Sequence, residues 1–251
     1  MAIWGKILGA TAGLAVGGPL GALVGGLAGH AYDRIQADRT ETAGSSGGGS
    51  GESLARQTAF AIAVVVLSAK MAKADGTVTR DEIEAFKRIF HIPAEEMKNV
   101  GRLFDQARKD AHGFEPYARQ IARLFRDNPA VLEELLGGLF HIARADGVSH
   151  PREVDFLHKV SEMFGLDDAT FERLKVAHFG ADMTDPYTVL GITRYASDDQ
   201  VRSAWRKLVR EHHPDALMAQ GMPEDFIKIA TEKLITLNAA YDQICKQRGI
   251  S

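Results

Sequence analysis

The tripeptide His213-Pro214-Asp215 places an imidazole, a rigid proline and a carboxylate side by side. The segment before it predicts a helix, because Ser197 and Gln200 have capping-box spacing at its start. Its apolar positions follow three and four residues apart, at Val201, Trp205, Leu208 and His212. The segment from near Pro223 carries a second apolar stripe. Pro214 disfavours helical geometry at the residue before it. These patterns predict an antiparallel helical hairpin with the tripeptide in the exposed connection, where a carboxylate can accept charge-assisted hydrogen bonds from a partner.

Four basic side chains precede the tripeptide at helical spacing, and we call them the basic face: Arg202, Arg206, Lys207 and Arg210. The segment 185–251 balances nine acidic against nine basic residues, so this face is a local feature. Such a face attracts an acidic partner surface in a salt-sensitive way. The alternative is an ordinary solvated helix surface.

The segment 185–251 resembles the J-domain family over nearly its whole length. The matching residues are Tyr187, Leu190, Arg206-Lys207-Leu208, His213-Pro214-Asp215 and Ala240-Tyr241. The resemblance implies a co-chaperone that docks on an Hsp70 (DnaK) and stimulates its ATP hydrolysis. The basic face and the tripeptide then form the docking surface, and Asp215 accepts hydrogen bonds from a basic Hsp70 residue. Two positions depart from the family pattern: Ala216 replaces a common lysine, and Trp205 replaces a usual tyrosine.

Acidic residues recur elsewhere with an offset of 71 residues (146 − 75 and 153 − 82), at Asp75, Glu82, Asp146 and Glu153. Carboxylates of this kind are candidate ligands for Ca²⁺ or Mg²⁺. The EF-hand pattern does not fit, because the twelfth position from Asp75 is Phe86. The alternative is structural: Thr79 and Glu82 have capping-box spacing, and a glycine follows each aspartate at a helix end.

The repeat lies in a segment of about 53–181 that reads as helices, including an apolar stretch over Phe60–Met71 and a second helix over Thr79–Phe90. Two copies of an apolar helix, an Asp-Gly turn and an acidic-started helix predict one helical bundle. This pattern resembles the TerB family, named for tellurite resistance. The resemblance leaves open a second function, that of an ion-binding or stress-response protein with an accessory J-domain.

The N-terminal segment has no charged residue from Ile7 to Gly29, a length of roughly 34 Å as a helix, which is enough to cross a bilayer. Glycines recur every four residues, which lets a second helix approach closely; the predicted association face is Gly9, Gly13, Gly17, Gly21 and Gly25. We therefore predict a membrane helix that forms a homodimer. A flexible glycine-rich tail and a cleaved signal peptide are the alternatives.

The predicted organisation is all-α, with four segments: a glycine-zipper membrane helix over 1–32, a Gly/Ser linker over 33–54, a TerB-like bundle over 55–181 and a J-domain over 185–251. This order of parts resembles the DjlA-type membrane-anchored DnaJ-like proteins. The resemblance implies a single-pass protein of the bacterial inner membrane whose soluble domains face the cytoplasm, where Hsp70 and ATP are found.

The composition and motifs of the sequence argue against several other classes of function. The net charge of −3 gives no reason to expect nucleic-acid binding. A lone cysteine, Cys245, cannot form an intramolecular disulfide or a cysteine-based zinc site. The sequence contains no P-loop, His-Glu-x-x-His or Gly-x-Ser-x-Gly pattern. We therefore expect no cofactor and no catalytic residue in this chain.

Overall fold

The computed structural model describes residues 18–22, 50–75, 80–89, 92–109, 113–145, 150–179 and 185–249. Within these ranges the chain is helical and contains no β-strand, so the all-α prediction is confirmed. Two bodies of helices can be distinguished by their cores, and they are joined by buried contacts.

The first body, which we call the bundle, precedes residue 180. It consists of α1 (Ser50–Asp75), α2 (Arg80–Ile89), α3 (Met97–Lys109), α4 (Glu115–Leu124), α5 (Pro129–Ala143), α6 (Pro151–Phe164) and α7 (Asp168–Phe179). Helix α1 is the centre of the bundle and contacts α3, α4, α5 and α6. The ends of α1 and α5 and the starts of α2 and α6 carry the two copies of the sequence repeat.

Helix α1 is buried because it is apolar on every side, from Ala59 to Leu67. Its stretch Ala55–Lys73 is long and apolar enough to cross a bilayer, but 83% of that window is buried within the protein, as in the core helix of a folded domain. The helix begins at Ser50, inside the segment 33–54 predicted as linker. Good helix formers such as Leu54, Ala55 and Arg56 allow the helix to extend beyond its buried part.

The second body, which we call the hairpin, consists of α8 (Pro186–Val189), α9 (Asp198–Glu211), α10 (Pro214–Ala219), a 3₁₀ turn (Glu224–Phe226) and α11 (Ile227–Arg248). The predicted capping box is present: the Ser197 hydroxyl accepts from the backbone N–H of Gln200 at 3.3 Å, and the Ser197 N–H donates to the Gln200 side chain at 2.7 Å. The hairpin has a small core of its own, formed by Tyr187, Leu190, Val201, Leu208, Leu237, Ala240 and Ile244.

The connection between α9 and α11 differs from the exposed loop predicted from the sequence. Pro214 begins the short helix α10, where a proline is well tolerated because its missing N–H has no partner to lose. His213 is the extended residue before the helix, with φ −65° and ψ 132°. The sequence argument about Pro214 is therefore correct for His213, but a second short helix follows at once.

Part of the remainder of this connection is buried in the bundle. Three of its residues have no exposed surface and belong to the bundle core, namely Leu217, Met222 and Phe226. Ala230, in the first turn of α11, is buried in the same core. The Phe226 ring meets the Phe60 ring edge to face, with centroids 4.9 Å apart. Gly221 has φ +102°, and a Cβ there would lie 2.8 Å from the Cβ of Arg56, so the close approach requires glycine.

Candidate functional site

The tripeptide presents its polar groups to solvent. The Nδ1 atom of His213 accepts a hydrogen bond from the backbone N–H of Asp215 at 3.2 Å, which caps α10 and fixes the ring. The side chain of His213 is 50% exposed and that of Asp215 is 81% exposed. The Asp215 carboxylate is therefore free to accept hydrogen bonds from a partner protein.

The basic face of α9 continues this surface. Arg206, Lys207 and Arg210 are exposed, whereas Arg202 is partly buried and lies 3.6 Å from Asp199. Arg206 and Arg210 line an open depression together with His213 and Asp215, and its apolar floor is formed by Trp205, Val209 and Ala216. The structure thus brings two of the four predicted basic residues together with the tripeptide. Arg202 and Lys207 lie outside this depression.

Side-chain contacts hold the helices of the hairpin together. The sequence pattern indicated only some of the residues that make them. Trp205 stacks on Tyr241, with ring centroids 4.3 Å apart, and its indole N–H donates to the Asn238 side chain at 2.9 Å. Arg248 donates to the Tyr187 hydroxyl at 2.8 Å and to the carbonyl of Arg194 at 2.7 Å. Trp205 therefore keeps a polar partner for its ring, which explains how it can stand where the family usually has tyrosine.

A cluster of ionisable side chains lies behind the tripeptide, between the bundle and the hairpin. We call it the ion cluster: Glu133 and Glu134 of α5, Arg173 of α7, His212 next to the tripeptide, and Lys233 of α11. The His212 ring nitrogens lie 2.7 Å from the Glu134 carboxylate and 3.4 Å from that of Glu133. Lys233 donates to both carboxylates, at 2.5 and 2.8 Å, and Arg173 donates to Glu133 at 2.8 Å.

The surroundings shift the pKa values of these groups. Burial opposes the negative charge on Glu133, but Lys233, His212 and Arg173 outweigh it and hold the pKa of Glu133 well below its usual range. The pKa of Glu134 is lowered through the same balance, with Lys233 and His212 overcoming burial. Burial and Lys233 disfavour the imidazolium of His212, but hydrogen bonds to both glutamates prevail and raise its pKa. Both ring nitrogens of His212 face carboxylates, and Nδ1 also lies 3.1 Å from the Lys233 ammonium.

The apolar spacing of the helix predicts His212 on its buried face, but it does not indicate the ion cluster. The burial of His212 agrees with that placement, since it is almost completely inaccessible. The missed signal was Glu133-Glu134, two adjacent acids inside the otherwise apolar helix α5. Buried carboxylates need ionic partners, so this pair indicated that another part of the chain must cover it.

The predicted metal ligands are only partly visible. Glu153 is buried in the first turn of α6. Asp75 and Glu82 lie within α1 and α2, but their side chains are outside the described residues, as is Asp146 entirely. The residues that the structure describes include no group of three or more potential metal-binding side chains. The divalent-ion site therefore stays a prediction.

Most of the predicted glycine face also lies outside the described residues, namely Gly9, Gly13, Gly17 and Gly25. Gly21 is buried in the helical stretch 18–22, next to Leu20. Leu20 is buried in the bundle core, and its backbone N–H donates to the Gln120 side chain at 2.9 Å. The described part of the segment 1–32 is therefore in contact with the bundle.

Comparison with known families reproduces the order of parts. The sequence matches the co-chaperone DjlA transmembrane domain over residues 1–56, the tellurite resistance protein TerB over residues 61–176 and the DnaJ domain over residues 185–248. The third match contains all the described helices of the hairpin. The second covers the bundle except for the part of α1 before residue 61 and the part of α7 after residue 176. No solved structure shows significant similarity to the chain.

Curated relatives resemble the chain along its whole length. The co-chaperone protein DjlA of Photobacterium profundum is 31% identical over 98% of this chain and 99% of its own. That of Vibrio cholerae serotype O1 is 31% identical over the full length of both. That of Coxiella burnetii is 28% identical over 98% of each chain.

Proposed function

This chain belongs to the family of DjlA co-chaperones, membrane-anchored proteins with a TerB-like domain and a J-domain, and from that premise we propose that it stimulates ATP hydrolysis by a cytosolic Hsp70 (DnaK). It recruits this Hsp70 to client proteins at the membrane. The ATPase chemistry belongs to the Hsp70, and the co-chaperone shifts its conformational equilibrium toward the state that hydrolyses ATP.

The observation that carries the proposal is the exposed His213-Pro214-Asp215 tripeptide beside the basic face. Asp215 is largely solvent-exposed and can accept charge-assisted hydrogen bonds from an Hsp70 cation. Arg206 and Arg210 border the same depression and attract an acidic Hsp70 surface. Rim charges of this kind act mainly on the association rate, so the interaction should weaken as salt is added.

Single-turnover ATP hydrolysis by DnaK tests the proposal, with the full chain in lipid nanodiscs. We expect the wild type to accelerate hydrolysis and His213→Gln or Asp215→Asn to abolish the acceleration while the helical circular dichroism signal is kept. The matched control is Glu162→Gln, a change at an exposed glutamate on α6, far from the tripeptide in sequence. Undiminished stimulation by both tripeptide variants would overturn the assignment.

We further propose that the anchor is a single span of the bacterial inner membrane and that the bundle and hairpin face the cytoplasm. The Hsp70 and its ATP are on that side, and the excess of basic residues after the span (Arg34 and Arg39, against Lys6 before it) supports the same orientation. Glycines at every fourth position support association of two anchors into a homodimer.

A further inference from the structure

Both ends of the tripeptide are held by the bundle. His212 immediately precedes it and contacts Glu134 of α5 at 2.7 Å. Leu217, two residues after Asp215, is completely buried in the bundle core. The conformation of the tripeptide is therefore fixed from two sides by residues that lie outside the hairpin.

The ion cluster shows that the bundle and the hairpin are complementary in charge where they meet. Glu133 and Glu134 are buried on α5, and Arg173 is the cationic partner that the bundle itself contributes. The other cations of the cluster, His212 and Lys233, come from the hairpin. Arg173 contacts Glu133, and Glu134 has its described ionic contacts with His212 and Lys233 of the hairpin. Docking removes the two carboxylates from water and at the same time supplies these partners, which offsets the cost of burying the charges. Charged contacts of this kind also select one relative orientation of the two bodies.

The apolar contacts reinforce this orientation. Met222 and Phe226 insert into the bundle core, and Phe226 meets Phe60 edge to face. Their burial removes apolar surface from water, which favours the docked arrangement independently of the charges. The hairpin therefore has two cores: a small one of its own and a share of the bundle core.

Docking leaves the Hsp70-binding surface open. His213 and Asp215 are exposed in the docked arrangement, and so are Arg206, Lys207 and Arg210. The bundle thus contacts the tripeptide from behind and does not cover it. An inhibitory contact would place bundle residues over this surface, and the described residues that line the depression all belong to the hairpin.

We propose that the TerB-like bundle positions the tripeptide for Hsp70, with Glu134 and Lys233 as positioning residues that hold His212 and, through it, the start of α10. The inference rests on the proposed function and adds to it a role for the bundle. Stimulation of Hsp70 then depends on side chains that never touch Hsp70. In this chain the J-domain works as part of a unit with the bundle.

The test measures DnaK stimulation by the full chain in nanodiscs across a range of co-chaperone concentrations. Glu134→Gln keeps the side-chain volume and removes the charge, and exposed Glu162→Gln is the matched control. We expect Glu134→Gln to lower maximal stimulation about tenfold, the loss that results when only one molecule in ten keeps the docked arrangement. The concentration for half-maximal stimulation should change much less, because the basic face is intact.

A second pair of variants protects the test against simple unfolding. Lys233 is less buried than Glu134, so Lys233→Met should remove the charge and keep the fold, while Lys233→Arg should restore stimulation. Hydrogen exchange reports docking directly: residues 212–222 should exchange faster in Glu134→Gln and Lys233→Met than in the control.

The outcomes separate the two proposals. If both variants stimulate DnaK as well as Glu162→Gln does, the positioning role is wrong, whether or not exchange at 212–222 increases. If they stimulate more strongly than the wild type, the bundle restrains the J-domain, and the inference is overturned. If the wild type itself gives no more stimulation than His213→Gln, the proposed function fails instead.

Discussion

The imidazole of His212 lies 2.7 Å from the carboxylate of Glu134, although 78 positions separate the two residues in the chain. His212 precedes the tripeptide His213-Pro214-Asp215, and Glu134 belongs to a helix of the TerB-like bundle. This contact therefore joins two parts of the molecule. The function of the J-domain hairpin is indicated by its motif, whereas the role of the TerB-like bundle is not.

The contact predicts how the stability of the docked arrangement depends on pH. His212 has a raised pKa in the folded protein, so its contribution is fully present below its ordinary pKa of 6.5 and is lost as pH rises through the raised value. Glu133 and Glu134 have lowered pKa values, so their contribution is present above 4.5 and is lost as pH falls through the lowered values.

We therefore expect the ion cluster to stabilise the protein most between about pH 4.5 and 6.5. Thermal melting of the wild type and of His212→Gln, recorded from pH 4 to pH 9, checks this. The difference in melting temperature between the two should be largest within that window and should shrink toward alkaline pH. A difference that stays constant across the whole range would show that His212 contributes through packing alone.

Phe226 is a fully buried aromatic contact between hairpin and bundle. Replacing it by alanine leaves a cavity against Phe60, and truncations of this kind typically cost about 3–5 kcal/mol. We expect Phe226→Ala to lower the free energy of unfolding by that order, measured by urea denaturation. The control is Ile235→Ala on the same hairpin, where the side chain is 64% exposed; a comparable loss there would contradict the packing explanation.

The glycine face of the anchor predicts association in lipid. Replacing Gly13, Gly17 and Gly21 by leucine should keep membrane insertion and abolish the dimer, because larger side chains hold the two backbones apart. Carbonate extraction of membranes measures insertion, and chemical cross-linking of the full chain measures association. Release of the wild type by carbonate would refute the anchor; a dimer that survives the leucines would refute only the zipper.

The repeated acidic residues predict either an ion site or structural turns. Calorimetric titration of the full chain with Ca²⁺ and Mg²⁺ distinguishes these, with the double variant Asp75→Asn, Asp146→Asn as comparison. Heat in the wild type that disappears in the variant would establish an ion site formed with Glu82 and Glu153. No heat in either chain, with a lower melting temperature in the variant, would identify the aspartates as helix-end residues.

Features encoded by local spacing could be predicted from the sequence. The apolar stretch from Phe60 to Met71 lies within the buried helix α1, and Ser197 with Gln200 forms the predicted capping box. The tripeptide was placed between two amphipathic helices because apolar residues recur there every three or four positions. The short helix α10 does not follow from this spacing, because Pro214 disfavours a helix at the residue before it and yet suits the first helical position.

The sequence by itself determined the all-α class, the order of the helices and the position of the His-Pro-Asp tripeptide, because each depends on residues within a few turns of one another. Only the tertiary structure decided which surface the tripeptide rests on. Glu134 meets Lys233 across 99 positions, and Phe226 meets Phe60 across a still longer separation. The helical periodicity of the sequence cannot predict contacts between residues so far apart in the chain. These contacts form because the buried carboxylates need ionic partners and the aromatic ring needs an apolar surface to pack against.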